Sequence, residues 1–169
     1  MNRSQRQPPS LLIVEDSDED FEALKRIVER VSTFAVAIDR CMDGDDALDF
    51  LNRVEKYRDD RDRLNPDLIV LDLNLPGTDG REVLATIKQS KTLKTIPVVV
   101  LSTSSNPKDI EACYQSGANS YMLKPMNINE LSESVRMMLD YWFKATVLPA
   151  AVVLPLASPR ANRDLKRSR

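Results

Sequence analysis

Leu68-Ile69-Val70-Leu71-Asp72-Leu73-Asn74-Leu75-Pro76-Gly77 decides the fold. A short apolar run that stops at a Pro-Gly turn reads as a buried strand ending in a loop. Asp72 then stands at the carboxyl end of that strand, where open α/β sheets place their ligands. Three other stretches repeat the pattern. Leu11-Leu12-Ile13-Val14 ends in Glu15-Asp16, Val98-Val99-Val100-Leu101 in Ser102-Thr103, and Ser120-Tyr121-Met122-Leu123 in Lys124-Pro125. Corresponding strand ends thus deliver an acidic pair, a lone Asp, a hydroxyl and a lysine, a combination suited to phosphorylating an aspartate.

Between these runs the pattern changes to helical spacing. Phe21, Leu24, Ile27, Val28 and Val31 define a first helix over 18–31, acidic early and basic late. The alternation over 33–38 predicts a second strand. Asp43 is a candidate N-cap for a second helix through Ala47, Leu48, Leu51, Val54 and Tyr57. The charged stretch 55–63 either extends it or forms a solvated loop. A third strand is expected over 67–71, a third helix over 80–89, a fourth strand over 96–101 and a fourth helix over 107–116, closed by Gly117. The fifth strand covers 119–123 and the last helix 127–143, with Ile128, Leu131, Val135, Met138, Leu139 and Trp142 facing inward.

Alternating strands and helices with right-handed crossovers give a parallel sheet covered on both faces. The expected class is α/β, a flavodoxin-like (βα)5 doubly wound sheet with strand order 2-1-3-4-5, which sets strands one, three, four and five side by side. Composition agrees. At 42% hydrophobic and only 5% aromatic, the 169-residue chain must build an aliphatic core. The expected division is a lead over 1–9, one domain over 10–144 and a tail over 145–169.

Composition also excludes. With no histidine, neither His catalysis nor His metal ligation is available, and any phosphohistidine must come from another protein. Cys41 and Cys113, without a CxxC spacing or secretory leader, read as reduced thiols of a cytoplasmic protein. An acidic body does not point to nucleic acid, and the basic end (Arg160, Arg163, Lys166, Arg167, Arg169) is short. No apolar run approaches the roughly 20 residues that span a bilayer. Only four glycines, and no Gly-rich phosphate loop, argue against a flavin or nucleotide site.

Val14-Glu15-Asp16, Leu71-Asp72-Leu73-Asn74-Leu75-Pro76 with Asp79-Gly80, Leu101-Ser102-Thr103 and Tyr121-Met122-Leu123-Lys124-Pro125, in that order, resemble the receiver domains of bacterial two-component response regulators. The resemblance covers about 11–140. It implies that Asp72 is the phosphoacceptor and that Mg²⁺ is held by Asp16, Asp72 and the Asn74 backbone carbonyl, with Glu15 acting through water. Lys124 pairs with the phosphoryl oxygens, aimed by a cis Lys124–Pro125 bond. Ser102 is the switch hydroxyl, Tyr121 rotates inward behind it, and Asn74 and Ser104 flank the attacking water. Glu15 departs from the Asp of many receivers, and Ser102 from the frequent Thr. The residue types suit this chemistry. A carboxylate can attack phosphorus to form an acyl phosphate. Two meeting anions need countercharge from a hard cation and a lysine.

The second helix with residues 57–63, the Arg81-Glu82-Val83-Leu84 start and Asp140-Tyr141-Trp142-Phe143 with Val147-Leu148-Pro149 look like the cyanobacterial phytochrome-linked single-domain regulators. That implies a phytochrome histidine kinase as donor, an unknown downstream protein, and a homodimer. Its contacts are expected at Tyr141, Trp142, Phe143 and Leu148, on the face of the fourth helix, fifth strand and fifth helix. The run 147–156 is too apolar for a free tail. Alternatives are a kinase of another class, an aspartyl-phosphate phosphatase or phosphotransferase, or a pseudo-receiver. Against a phosphatase, Asn74 occupies the place where such enzymes carry a general-acid Asp. The expected protein signals; it is no enzyme beyond its own phosphorylation and dephosphorylation.

Overall fold

The computed structural model describes residues 7–60 and 63–149. Five parallel strands lie in the order 2-1-3-4-5: β1 (Ser10–Val14), β2 (Ala37–Cys41), β3 (Leu68–Leu71), β4 (Val98–Ser102) and β5 (Ser120–Leu123). Helices α1 (Asp18–Val31), α2 (Gly44–Asn52), α3 (Gly80–Gln89), α4 (Pro107–Gln115) and α5 (Ile128–Asp140) make the crossovers. β1, β3 and β4 are buried almost throughout, which is why they read as unbroken aliphatic runs. Leu12, Val14, Ile69, Leu71, Val98 and Val100 pack with α2 and α3 on one face of the sheet. Leu11, Ile13, Leu68, Val70, Val99 and Leu101 pack with α1 and α5 on the other. Both cysteines are buried and free.

The expected flavodoxin-like order holds, and α1 and α3 have the expected bounds; β3, β4, α4 and β5 shift by one or two residues, and the larger departures are in β2, α2 and α5. β2 begins at Ala37, not 33, because its register on β1 runs from Ser10↔Ala37 to Val14↔Cys41. Phe34 and Val36 do reach the core, but from the loop before the strand. α2 stops at Asn52. Arg53 turns left-handed (φ 55°), and its buried guanidinium bonds Phe50 O at 2.6 Å and Leu64 O at 2.9 Å. Val54 lies exposed between the helix and the next element, and Tyr57 is carried instead by a 3-10 turn, Glu55–Asp60. That turn brings Tyr57 edge-on to Phe50 and its hydroxyl to Asp46. α5 ends at Asp140 and runs on as a single π-helical turn, Tyr141–Ala145. Ile128, in its first turn, is exposed rather than inward-facing, while Leu131, Val135, Met138 and Leu139 are buried. Trp142 and Phe143 lie half-buried on the same core. Residues 1–6, 61–62 and 150–169 lie outside the described residues, and with them most of the apolar and basic tail.

Candidate phosphoacceptor and metal site

Each site residue follows a strand that the sheet holds firmly. Glu15 donates its N–H to Cys41 O at 3.0 Å, continuing β1 beside β2, and Asp72 donates to Val14 O at 3.1 Å, continuing β3 beside β1. Lys124 N–H donates to Ser102 O at 2.8 Å, so β5 carries its lysine one residue past β4. Gly80 lets α3 start close to this end of the sheet, since a Cβ there would lie 2.2 Å from Asp72 O.

The Lys124 ammonium is the hub. It donates to Glu15 Oε2 at 2.8 Å, to Asp20 Oδ2 at 2.8 Å and to Asp72 Oδ2 at 3.4 Å. Burial works against this charge, but the hydrogen bonds that Lys124 donates to Asp20 and Glu15, together with the carboxylate charges, outweigh it and hold Lys124 above the usual lysine range. Glu15 is the most enclosed of the acids; burial pushes its carboxyl up, and Lys124 offsets only part of that. Its second oxygen, Oε1, accepts the Ser17 N–H at 3.1 Å. Asp72 Oδ1 accepts the Asn74 N–H at 3.0 Å, fixing the start of the β3–α3 loop.

Oxygens of Glu15, Asp16 and Asp72 all lie within 4.8 Å of one another. An all-oxygen, multiply anionic donor set of that span fits a hard divalent cation. Ser102 is fully buried at the end of β4, and its Oγ accepts the Ser104 N–H at 3.2 Å. Tyr121 lies half-buried against the core, its hydroxyl donating to Ser104 O at 2.8 Å. The Ser104 hydroxyl itself is turned to Asp109, at 2.7 Å.

The sheet therefore gathers Glu15, Asp16, Asp72 and Lys124 in one cleft. Tyr141, Trp142, Phe143 and Leu148 lie elsewhere, along the end of α5 and the segment after it. One expectation is corrected: no peptide bond among the described residues is cis, so Lys124–Pro125 is trans, and three carboxylates aim the ammonium. Two further residues shape the cleft. Asp20 reads in the sequence as one more acid in a helix start, but from the first turn of α1 its carboxylate reaches Lys124. Arg40 clamps the acidic loop, donating to Glu15 O at 3.1 Å, Asp16 O at 3.2 Å and Asp18 Oδ1 at 2.6 Å while lying over the Phe21 ring. Reading β2 four residues early hid it, because its pairing with Ile13 is what sets it beside that loop.

The family model described as the response regulator receiver domain matches residues 11–136. The chain belongs to the response regulator receiver family. Response regulator Rcp1 of Synechocystis sp. is 40% identical over 151 residues, covering 89% of this chain and 100% of Rcp1. The crystal structure of the phosphorylated cyanobacterial phytochrome response regulator RcpA superposes with a TM-score of 0.79 at 38% identity, covering 85% of this chain and 100% of RcpA. The Mn²⁺-bound form of Rcp1 gives 0.78 at 40% identity, with the same coverage of 85% and 100%. This receiver is thus related to the phytochrome response regulators, and it is a signalling protein of the two-component kind.

Proposed function

We propose that this chain is a phosphorylation-controlled switch in which Asp72 accepts a phosphoryl group from a histidine kinase and later loses it to water. The observation that carries this is the Lys124 ammonium set between Glu15, Asp20 and Asp72 in one cleft. An Asp72 oxygen forms the bond to phosphorus while the P–N bond of the donor's phosphohistidine breaks, its electron pair staying on the imidazole. Lys124 swings part of its charge from the carboxylates to the phosphoryl oxygens. Mg²⁺ would be held by Asp16, Asp72 and the Asn74 carbonyl, with Glu15 adjoining through water, and supplies countercharge to the two anions. Ser102 donates its hydroxyl to the new phosphoryl group, and Tyr121, tied to Ser104 O, carries the change to the surface of α4, β5 and α5.

The kinship with Rcp1 and RcpA supports a phytochrome kinase as the donor. Residues 10–144 form the receiver, 1–9 a lead and 145–169 a tail, in a cytoplasmic protein; no helix among the described residues is long and apolar enough to cross a membrane. A homodimer through the end of α5 is supported by Tyr141 and Val147, both exposed, beside Leu148. Trp142 and Phe143 would brace that contact from the subunit's own core. Truncation after Lys144 should lower the solution mass to that of a monomer.

Incubation with Mg²⁺ and a small acyl-phosphate donor should add the mass of one phosphoryl group. Asp72→Asn should abolish the gain, and Asp16→Asn should raise the Mg²⁺ needed for it. A hydroxylamine-labile phosphate on the Asp72→Asn protein would refute the assignment.

A further inference from the structure

A chain of polar contacts runs from the switch loop to two helix starts. Ser104 Oγ donates to Asp109 Oδ2 at 2.7 Å and accepts the Asn106 N–H at 3.3 Å. Asp109 lies in the first turn of α4, and its other oxygen, Oδ1, takes Arg81 Nη2 at 3.1 Å. Arg81 Nη1 in turn reaches Asp79, the N-cap of α3, at 3.2 Å. One guanidinium therefore joins the first turn of α3, which follows the Asp72 loop, to the first turn of α4, which follows the Ser102 loop. The rest of Ser104 faces the switch: its N–H donates to Ser102 Oγ at 3.2 Å, and its carbonyl accepts the Tyr121 hydroxyl at 2.8 Å.

Magnitudes separate a stabilising role from a positioning one. The Arg81 and Asp109 side chains are 36% and 28% exposed, and pairs this open add little to stability. Orientation is a different matter. A hydroxyl donating to a carboxylate makes a short, charge-assisted bond that fixes its rotor. The Ser104 bond outweighs the opposing desolvation and Arg81 adds to it, holding the Asp109 carboxyl below the usual range, so the acceptor is ionised at neutral pH.

We propose that Arg81 and Asp109 are positioning residues that keep the Ser104 hydroxyl turned away from the water approaching Asp72, and so prolong the aspartyl phosphate. This rests on Asp72 being the phosphoacceptor. In the hydrolysis a water oxygen bonds to phosphorus, the acyl P–O bond breaks, Asp72 departs as a carboxylate and the water proton goes to the phosphate product. Neither Ser104 nor Asn74 is a base strong enough to take that proton early, so orientation of the water is what either side chain can offer. A Ser104 hydroxyl committed to Asp109 offers none.

The test is the decay of phosphorylated protein, charged with a small acyl-phosphate donor and Mg²⁺, desalted and followed by intact mass. Asp109→Ala should speed phosphoryl loss about three- to tenfold, the worth of one oriented hydrogen bond, with the rate of charging unchanged. Asp109→Asn, which keeps an acceptor for Ser104, should speed it less, and Arg81→Met should act in the same direction as Asp109→Ala. Adding Ser104→Ala to Asp109→Ala should restore the parent lifetime, a reversal that simple loosening of the loop would not give. An Asp109→Ala lifetime equal to the parent's, or an acceleration that survives without Ser104, would overturn the proposal. Failure of the parent to gain a phosphoryl group at all would instead strike the Asp72 reading on which it rests.

Discussion

Lys124→Met keeps an unbranched chain of similar length and removes only the ammonium, so its cost measures how far the acidic cleft depends on its own cation. The Lys124–Glu15 pair is the largest contributor: 2.8 Å long, with side chains 11% and 3% exposed. Removing one partner of such a pair costs about 3–5 kcal/mol, because the other charge stays buried. Asp20 is 49% exposed, so losing its bond adds at most about 1 kcal/mol. Asp72 contributes through a longer contact of 3.4 Å. An opposing effect caps the total. Burial already pushes the Glu15 carboxyl up, so without Lys124 it can take a proton rather than remain a bare anion. The expected net loss is about 2–4 kcal/mol at neutral pH with chelator present.

Urea unfolding followed by circular dichroism should show it as a lower midpoint with an unchanged slope. Added Mg²⁺ stabilises any protein whose folded state binds it more tightly than the unfolded chain does. It should stabilise Lys124→Met more than the parent, since the carboxylates no longer share an internal cation. A loss under about 1 kcal/mol would make Lys124 no more than a surface pair. Equal Mg²⁺ stabilisation of the two proteins would refute the idea that ammonium and metal compete for the same negative charge.

Asn65 is buried, and neither amide atom finds a hydrogen-bond partner among the described residues. Asn65→Leu should therefore be neutral or stabilising by about 1–2 kcal/mol in the same urea assay, whereas a clear destabilisation would show that the amide is satisfied. Burial pushes the Lys88 ammonium down to about 8, against three acceptors at Lys94 O, Ile96 O and Asn119 Oδ1. A lysine with a depressed folded value is protonated more fully in the unfolded chain above that pH. Parent stability should therefore rise relative to Lys88→Met from about pH 8 towards pH 10.5, and stay level with it below. A difference between the two that is flat across pH 7–10 would contradict this.

Where the decisive signal lies within a few residues, the sequence is readable. β3 and α3 are examples: an aliphatic run into Asp72, then a helix repeat from Gly80 to Gln89. Asp16, Asp72, Ser102 and Lys124 were legible for the same reason, each standing where an apolar run stops. The misread parts are decided by distant partners. Alternation at Phe34, Val36 and Ile38 reports burial truthfully, but only pairing with β1 says which backbone joins the sheet. The end of α2 turns on the bond from Arg53 to Leu64 O, eleven residues away. Asp20 and Arg40 share that difficulty, since what they touch depends on where β5 delivers Lys124 and on the β1–β2 register.

Glu15, the departure from the Asp of many receivers, acquires a reason from the same contacts. Its backbone is fixed by Cys41 O, so the side chain must span whatever distance remains to Lys124. The long arm sends Oε2 to the ammonium at 2.8 Å while Oε1 stays on the Ser17 N–H at 3.1 Å. An Asp at 15 would draw the carboxylate back by about one carbon–carbon bond, roughly 1.5 Å, too far to keep both partners without moving the loop. Ser17 is the N-cap of α1, its hydroxyl accepting the Asp20 N–H, so Glu15 secures the cap while Asp20 returns from the first turn to the same lysine. Lys124, Glu15, Ser17 and Asp20 thus form a closed ring that ties β5 to the start of α1. Asp16 stands outside that ring, its carboxylate still within 4.8 Å of oxygens of Glu15 and Asp72.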